Sequence, residues 1–385
     1  MLNFEFYNPT RIIFGTDTIQ RIHDFVPSDA RVLMLYGGES ARKNGTLDEV
    51  RTALGQREIQ EFGGIEPNPS YETLMKAVEL IREQKLDFLL AVGGGSVIDG
   101  TKFIAAAVNY AGDEWQILET HGAKITQALP FGSVLTLPAT GSEMNSGGVV
   151  TRKSTQTKLA FGSSHVFPQF SVLDPNKTYS LPLRQLANGV VDAFIHVMEQ
   201  YLTYSVNAQV QDRFAESLLQ TLIEIAPKVV EESADYDTRA NLMWTATMAL
   251  NGLIGAGVPQ DWSTHMIGHE LTALHNIDHA RTLAIVLPAN MQVRRAQKRD
   301  KLLQYAERVW HIVDGDEEQR IDAAIARTRA FFEDLGLPTR LADYQLGAKD
   351  IDEVIKQLEA HKLTKLGEHQ DISLDVSRRI LEASL

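Results

Sequence analysis

The stretch Leu86-Asp-Phe-Leu-Leu-Ala-Val-Gly-Gly-Gly-Ser96 decides the architecture of this chain. Leu86 to Val92 is an apolar run of strand length and reads as a strand buried on both faces. Three glycines stop it, and Val97 to Val108 then reads as a helix. A strand that passes through glycines into a helix lets backbone N–H groups come close to a ligand, and the helix N-terminus favours an anion there. A pyrophosphate suits such a place. A tight turn without a ligand uses the same residues, and the run is not the G-x-G-x-x-G fingerprint.

Neighbouring segments repeat the pattern. Arg31 to Tyr36 reads as a buried strand ending at Gly37-Gly38, and Asp48 to Leu54 suits a helix. Tyr71 to Gln84 reads as a longer helix, with Leu74, Val78 and Ile81 at helical spacing. Ser133 to Leu137 is a third strand. Alternating strands and helices imply a doubly wound α/β domain with a mostly parallel sheet. Open α/β sheets bind ligands beyond the carboxyl ends of their strands. The third strand end is rich in hydroxyl and amide groups, with Thr136, Thr140, Ser142 and Asn145. Each alone could cap a turn. Three such loops at three strand ends point to a dinucleotide site.

Beyond residue 180 the strand-like runs give way to helical ones: Asn188–Thr203, Ala208–Val230, Thr238–Leu253, Trp262–Leu274, Ala280–Val293, Lys301–Val313 and Ile321–Leu335. A proline-bounded turn from Asp174 to Pro182 separates the two patterns. The expected organisation is a dinucleotide-binding α/β domain over 1–180 and an all-helical domain over 181–385, two domains being natural for 385 residues.

Composition narrows the chemistry. A formal charge of −13 disfavours a nucleic-acid partner. With no cysteine, any metal must be held by histidine, carboxylate or carbonyl groups. The N-terminus lacks the basic and apolar regions of a signal peptide, and no apolar stretch approaches the ~20 residues needed to span a bilayer. A soluble, cytoplasmic protein is expected.

Two clusters could carry a metal. Asn188-Gly-Val-Val-Asp-Ala-Phe-Ile-His196 is apolar nearly all round, so the helix should be buried. Asp192 and His196 stand at i, i+4 on one face, where they could also satisfy each other by a hydrogen bond. The second cluster packs four of the 11 histidines into residues 265–279: His265, His269, His275 and His279. It is not an H-E-x-x-H site, because residue 273 is Ala273. On one straight helix His265 and His279 would stand about 21 Å apart. Asn276-Ile-Asp278 reads as a break, with Asp278 capping the next helix, and a fold-back there could bring both to one ion. Asp192, His196, His265, His269 and His279 are all candidate ligands, and spacing does not choose among the last three. Such a set accepts Zn²⁺ or Fe²⁺.

At these residues the chain resembles the iron-containing (group III) alcohol dehydrogenase family, and its NADP-linked butanol dehydrogenase and broad-range aldehyde reductase branch most of all. The matching runs are Gly63–Pro69, Ala91–Lys102, Leu135–Glu143, Asn188–His196 and Gly255–Trp262 leading into the histidine cluster. The resemblance implies an active site in the cleft between the two domains, and a homodimer. It implies Asp192, His196, His265 and His279 as ligands of one divalent ion. It places His269 beside the nicotinamide as a proton-relay residue and Asp99 near the same reacting end. Gly94, Gly95 and Ser96 match the pyrophosphate loop, while Asn68, Thr136, Thr140 and Lys158 match other cofactor positions. Relatives selective for NAD place an acidic residue near Gly38. Here Glu39 stands beside Ser40 and Lys43: a glutamate turned to the ribose would favour NAD, and one turned to solvent leaves those two for a 2′-phosphate; NADP(H) is favoured over NAD(H).

The implied reaction is reduction of aldehydes to primary alcohols, with the ion polarising the carbonyl and the reduced nicotinamide supplying hydride. Glycerol dehydrogenase-like polyol oxidation is the nearest alternative. A dehydroquinate synthase-like lyase would need many basic residues around its substrate. A non-enzymatic metal-binding protein would leave the glycine loops idle.

Overall fold

The two apolar runs read as buried strands are neighbours in one sheet. The computed structural model describes residues 1–231 and 233–385. Its strands are β1 Arg11–Phe14, β2 Arg31–Tyr36, β3 Glu58–Phe62, β4 Phe88–Gly94, β5 Phe131–Leu137, β6 Gly147–Arg152, β7 Thr157–Gly162 and β8 Phe170–Leu173. Six of them form a parallel sheet in the order β1-β8-β5-β4-β2-β3. β2 lies on β4 in the register Val32↔Phe88 to Tyr36↔Val92. From β2 to β3 the chain moves toward one edge, and from β4 through β5 to β8 it moves toward the other. The order therefore reverses between β2 and β4, and ligands of open α/β sheets bind at such a switch point. Gly37-Gly38 follow β2, and Gly93-Gly94 end β4 just before α4 begins at Gly95, on either side of it. β6 and β7 make a separate antiparallel hairpin, Gly147↔Gly162 to Arg152↔Thr157.

Helices of this part are α1 Ser40–Lys43, α2 Thr46–Leu54, α3 Tyr71–Gln84, α4 Gly95–Ala107 and α5 Gln116–Glu119. Side chains alternate across β2: Leu33 and Leu35 join a core with Leu74, Val78 and Phe103 of α3 and α4. Val32 and Met34 join a second core with Leu47 and Val50 of α2. Helices thus cover both faces, the doubly wound arrangement expected from the alternation. β3 is a charged edge strand and β1 and β8 have four residues each, too short to stand out by hydrophobic pattern.

The remaining helices are α6 Leu183–Tyr201, α7 Gln209–Val229, α8 Tyr236–Ala249, α9 Ser263–His275, α10 His279–Val293, α11 Arg299–Arg308, α12 Glu317–Asp334, α13 Ala348–Ala360 and α14 Leu374–Glu382. α6 is buried on every side from Leu186 to Tyr201, as its apolar circumference implied. α9 and α10 pack on each other and share a core of Ile267, Leu271, Ile285 and Val286 with Val354 and Ile380 of α13 and α14.

The chain forms two compact units, each drawn from more than one stretch of sequence. One holds 7–182 with 235–247; the other holds 1–6, 183–234 and 248–385. Nearly all of α8, residues 236–247, therefore lies in the α/β unit, where a single boundary at residue 180 was expected. Glu143, buried beside β5, accepts a short hydrogen bond from the Thr247 hydroxyl, and Trp244 stacks edge-on with Phe14 of β1. A helical pattern reveals neither partner. No helix among the described residues is long and apolar enough to cross a membrane.

Candidate metal centre and nucleotide site

The acidic and imidazole side chains converge because α9 stops where the sequence broke. Asn276 takes a left-handed φ of 53°, which asparagine tolerates better than most residues, and α10 restarts at His279. Asp278 sits at the start of α10, but its carboxylate does not cap that helix as expected. Its Oδ2 instead accepts from Arg184 Nε and Nη2 at 3.0 and 2.7 Å and from Asn188 Nδ2 at 3.1 Å. The planar guanidinium offers two charge-assisted bonds, more than one backbone N–H provides. Asp278 thereby ties the fold-back to α6, the helix that carries Asp192 and His196.

This fold-back brings the rings of His265 and His279 to 5.4 Å between centroids. Asp192, His265 and His279 each offer one ligand atom, all within 4.8 Å of one another. Asp192 Oδ1 lies 3.8 Å from His279 Nε2 and 3.7 Å from His196 Nε2. Donors sharing one ion at about 2.1 Å stand roughly 3.4 Å apart, so the spread is close to what an ion requires. His196 stands just outside the group of three, its ring stacked on His265 at 4.8 Å. His265 Nε2 is buried without a hydrogen-bond partner, an arrangement that costs free energy unless something else takes its lone pair. The set of one carboxylate with imidazoles, free of sulfur, fits Fe²⁺ or Zn²⁺. His269, one turn along α9, packs against the His279 ring at 5.1 Å.

Three residues outside the expected set shape this centre. Glu199 lies one turn beyond His196 on α6, so the spacing Asp-x3-His-x2-Glu already put it on the ligand face. Its Oε1 faces His265 Nδ1 at 3.4 Å. Burial and the nearby Asp261 push its carboxyl upward, and His265 and Lys298 oppose that. Lys298 is buried between Asp261 at 2.9 Å and Glu368 at 2.8 Å. Trp262 holds a left-handed φ of 63°, uncommon for a bulky residue, and sets its ring edge-on to His265.

In the α/β unit the glycine loop is packed too tightly for any side chain. A Cβ on Gly95 would meet Thr140 Oγ1 at 2.3 Å, whereas one on Gly38 would meet nothing within 4 Å. Gly95 is thus needed by the fold itself, and Gly38 leaves open space beside the switch point. Ser96 Oγ accepts from Asn68 N at 3.3 Å, and Lys158 Nζ donates to Asn68 Oδ1 at 2.8 Å. Three expected cofactor positions, distant in sequence, are therefore linked. Asp99 accepts from the Ser142 hydroxyl at 2.6 Å and from Val149 N at 2.9 Å. Lys102, one turn on, donates to Asn145 Oδ1 at 2.8 Å and to Gly147 O at 2.7 Å. Together they clamp the loop from Ser142 to Val149 onto α4. Burial pushes Asp99 up and Lys102 down to about 8. Thr136 lies at the end of β5. Ser40 and Lys43 lie on the exposed turn α1, and Glu39 pairs with Arg42 at 3.4 Å.

The family model described as iron-containing alcohol dehydrogenase matches residues 9–175. Its C-terminal counterpart, described as Fe-containing alcohol dehydrogenase family, C-terminal, matches 186–384. The chain is 62% identical to the NADPH-dependent aldehyde reductase YqhD of Escherichia coli, with all of both chains covered. It is 42% identical to the probable NADH-dependent butanol dehydrogenase 1 of Bacillus subtilis, again over all of both. The crystal structure of the E. coli protein superposes with a TM-score of 0.99, covering 100% of this chain and 99% of that one. That of the NADH-dependent butanol dehydrogenase A of Thermotoga maritima, 34% identical, gives 0.94 over 100% and 99%. Matched in both halves and along its full length, the chain belongs to the iron-containing alcohol dehydrogenase family.

Proposed function

We propose that this chain is a metal-dependent, NADPH-linked aldehyde reductase: an aldehyde, NADPH and one proton give a primary alcohol and NADP⁺. The observation that carries the reading is the meeting of buried Asp192 and His265 with half-buried His279 within 4.8 Å. A buried carboxylate needs pairing, and one shared cation would pair it with all the imidazoles around it at once. His196 completes the ligand set. When bound, the ion supplies Lewis-acid polarisation of the carbonyl and the reduced nicotinamide supplies the hydride.

The chain's own residues bind, orient and move the proton. Backbone N–H groups at Gly94, Gly95 and Ser96 hold the pyrophosphate at the start of α4. Asn68 and Lys158 flank that loop. Asp99 and Lys102 hold Ser142 and Asn145 in place rather than acting on the substrate. Thr136 and Thr140 line the β5 end beside them. His269 passes the proton toward the reacting end. Gly37 and Gly38 leave room for the adenosine ribose. Because Glu39 is engaged by Arg42, Ser40 and Lys43 stay free for a 2′-phosphate, which supports NADPH.

We further propose a homodimer. β1 ends the sheet on one side, and Phe14 and Trp244 expose aromatic surface beside it.

The test loads metal-free protein with Fe²⁺ or Zn²⁺ and compares NADPH with NADH on butanal. Restored butanal reduction and a higher kcat/KM with NADPH are expected. Asp192→Ala and His265→Ala should lose both metal content and activity; retention of both would sink the proposal. A higher rate on glycerol with NAD⁺ would favour polyol oxidation instead.

A further inference from the structure

Glu199 grips the segment that carries His265 at three points. Its backbone oxygen accepts from Asp261 N at 2.9 Å. Its carboxylate Oε1 accepts from His265 N at 3.1 Å and faces His265 Nδ1 at 3.4 Å. The Glu199 and His265 side chains are only 1% and 5% exposed, so water does not compete for these bonds. Trp262 precedes the first turn of α9, and the His265 N–H is one of the N-terminal donors that a helix cannot satisfy itself.

Resting on the metal-site reading above, we propose that Glu199 is a positioning residue that sets the tautomer of His265. A carboxylate oxygen opposite Nδ1 holds the ring proton there, which leaves the lone pair on Nε2. That atom is the buried one without a hydrogen-bond partner. A carboxylate behind a ligating imidazole also fixes the ring's orientation and raises its basicity toward a cation. Asp192, His196 and Glu199 follow at i, i+4 and i+7 on α6, so one helix face supplies two ligands and the group that orients a third. Lys298, held by Asp261 and Glu368, keeps positive charge near this buried carboxylate.

A purely structural role predicts something different. If Glu199 only caps α9, its loss lowers stability and leaves metal affinity alone. The experiment measures the Zn²⁺ dissociation constant of the full-length protein by competition with a chromophoric chelator, together with the melting temperature of the metal-free form. Glu199→Gln keeps an oxygen for the His265 N–H and serves as the variant that folds; Glu199→Ala removes the carboxyl group altogether. Glu199→Gln should weaken Zn²⁺ binding about 10-fold and Glu199→Ala up to about 100-fold. The metal-free melting temperature of Glu199→Gln should stay near that of the unaltered protein. Unchanged Zn²⁺ affinity in Glu199→Gln, with or without a fall in melting temperature, overturns the proposal. If the unaltered protein binds no Zn²⁺, or His265→Ala binds it as tightly, the metal-site reading itself falls and this inference with it.

Discussion

Lys102 shows how much chemistry a single buried side chain can carry. It is fully buried, yet two oxygens receive its ammonium group and the carboxylates of Asp99 and Glu143 stand nearby. Burial still dominates and lowers it from 10.5 to about 8. Between pH 8 and 10.5 the unfolded chain then binds more protons than the folded protein. Stability linked to this group therefore rises with pH across that window, by at most about 1.4 kcal/mol per pH unit. Below the window both states hold the proton and the contribution is flat. In Lys102→Met the rise should be missing, so unfolding midpoints of the two proteins should diverge as pH increases from 8. A parallel pH course in urea unfolding would show that Lys102 titrates normally. The variant should also bind NADPH more weakly, because Asn145 and Gly147 lose the group that holds them.

Among the elements, the break between α9 and α10 matters most. His265 and His279 sit on different helices whose junction turns on the left-handed Asn276 and on the Asp278 carboxylate bound to Arg184 and Asn188. A β-branched residue at 276 meets the steric cost of the left-handed region, roughly 1–2 kcal/mol, while glycine escapes it. Asn276→Val should therefore melt several degrees lower and bind Zn²⁺ more weakly than Asn276→Gly. Equal behaviour in thermal melts and chelator competition would mean that the turn does not govern ligand placement. The same junction explains why four histidines in 15 residues were readable as a cluster while their roles were not. Periodicity locates a break, but the direction taken after it depends on Arg184, about ninety positions earlier.

At the scale of the whole molecule, the sheet ends at the edge strand β1. β1 closes the order β1-β8-β5-β4-β2-β3, and beside it Ile12, Phe14, Ala240, Asn241 and Trp244 line a shallow apolar groove. Phe14 and Trp244 are 39% and 41% exposed, an unusual outlay of aromatic surface next to unpaired strand groups. A two-fold axis makes such an edge complementary to its own copy, so a second copy of this chain is the expected occupant. Light scattering should report about twice the 42.8 kDa chain mass, and Phe14→Lys combined with Trp244→Glu should return it to that of one chain. A double variant that keeps the larger mass would place the contact elsewhere.

Hydrophobic runs and glycines determined much of this protein without help. The β2 and β4 runs, the Gly93-Gly94-Gly95 stop and the alternation with α3 and α4 define a doubly wound sheet, because buried parallel strands must be apolar on both faces. Asp192 and His196 within the otherwise apolar run 189–198 of α6 marked the metal region, because a core tolerates such groups only with partners. Tertiary structure decided the rest. It placed residues 236–247 of α8 in the α/β unit, joined Asn68, Ser96 and Lys158 into one cluster, and set Glu199 behind His265. It also turned Asp278 from a helix cap into an anchor. These outcomes depend on contacts between residues far apart in the chain. Local propensity and periodicity describe only the neighbourhood of each residue, so such contacts leave no pattern there.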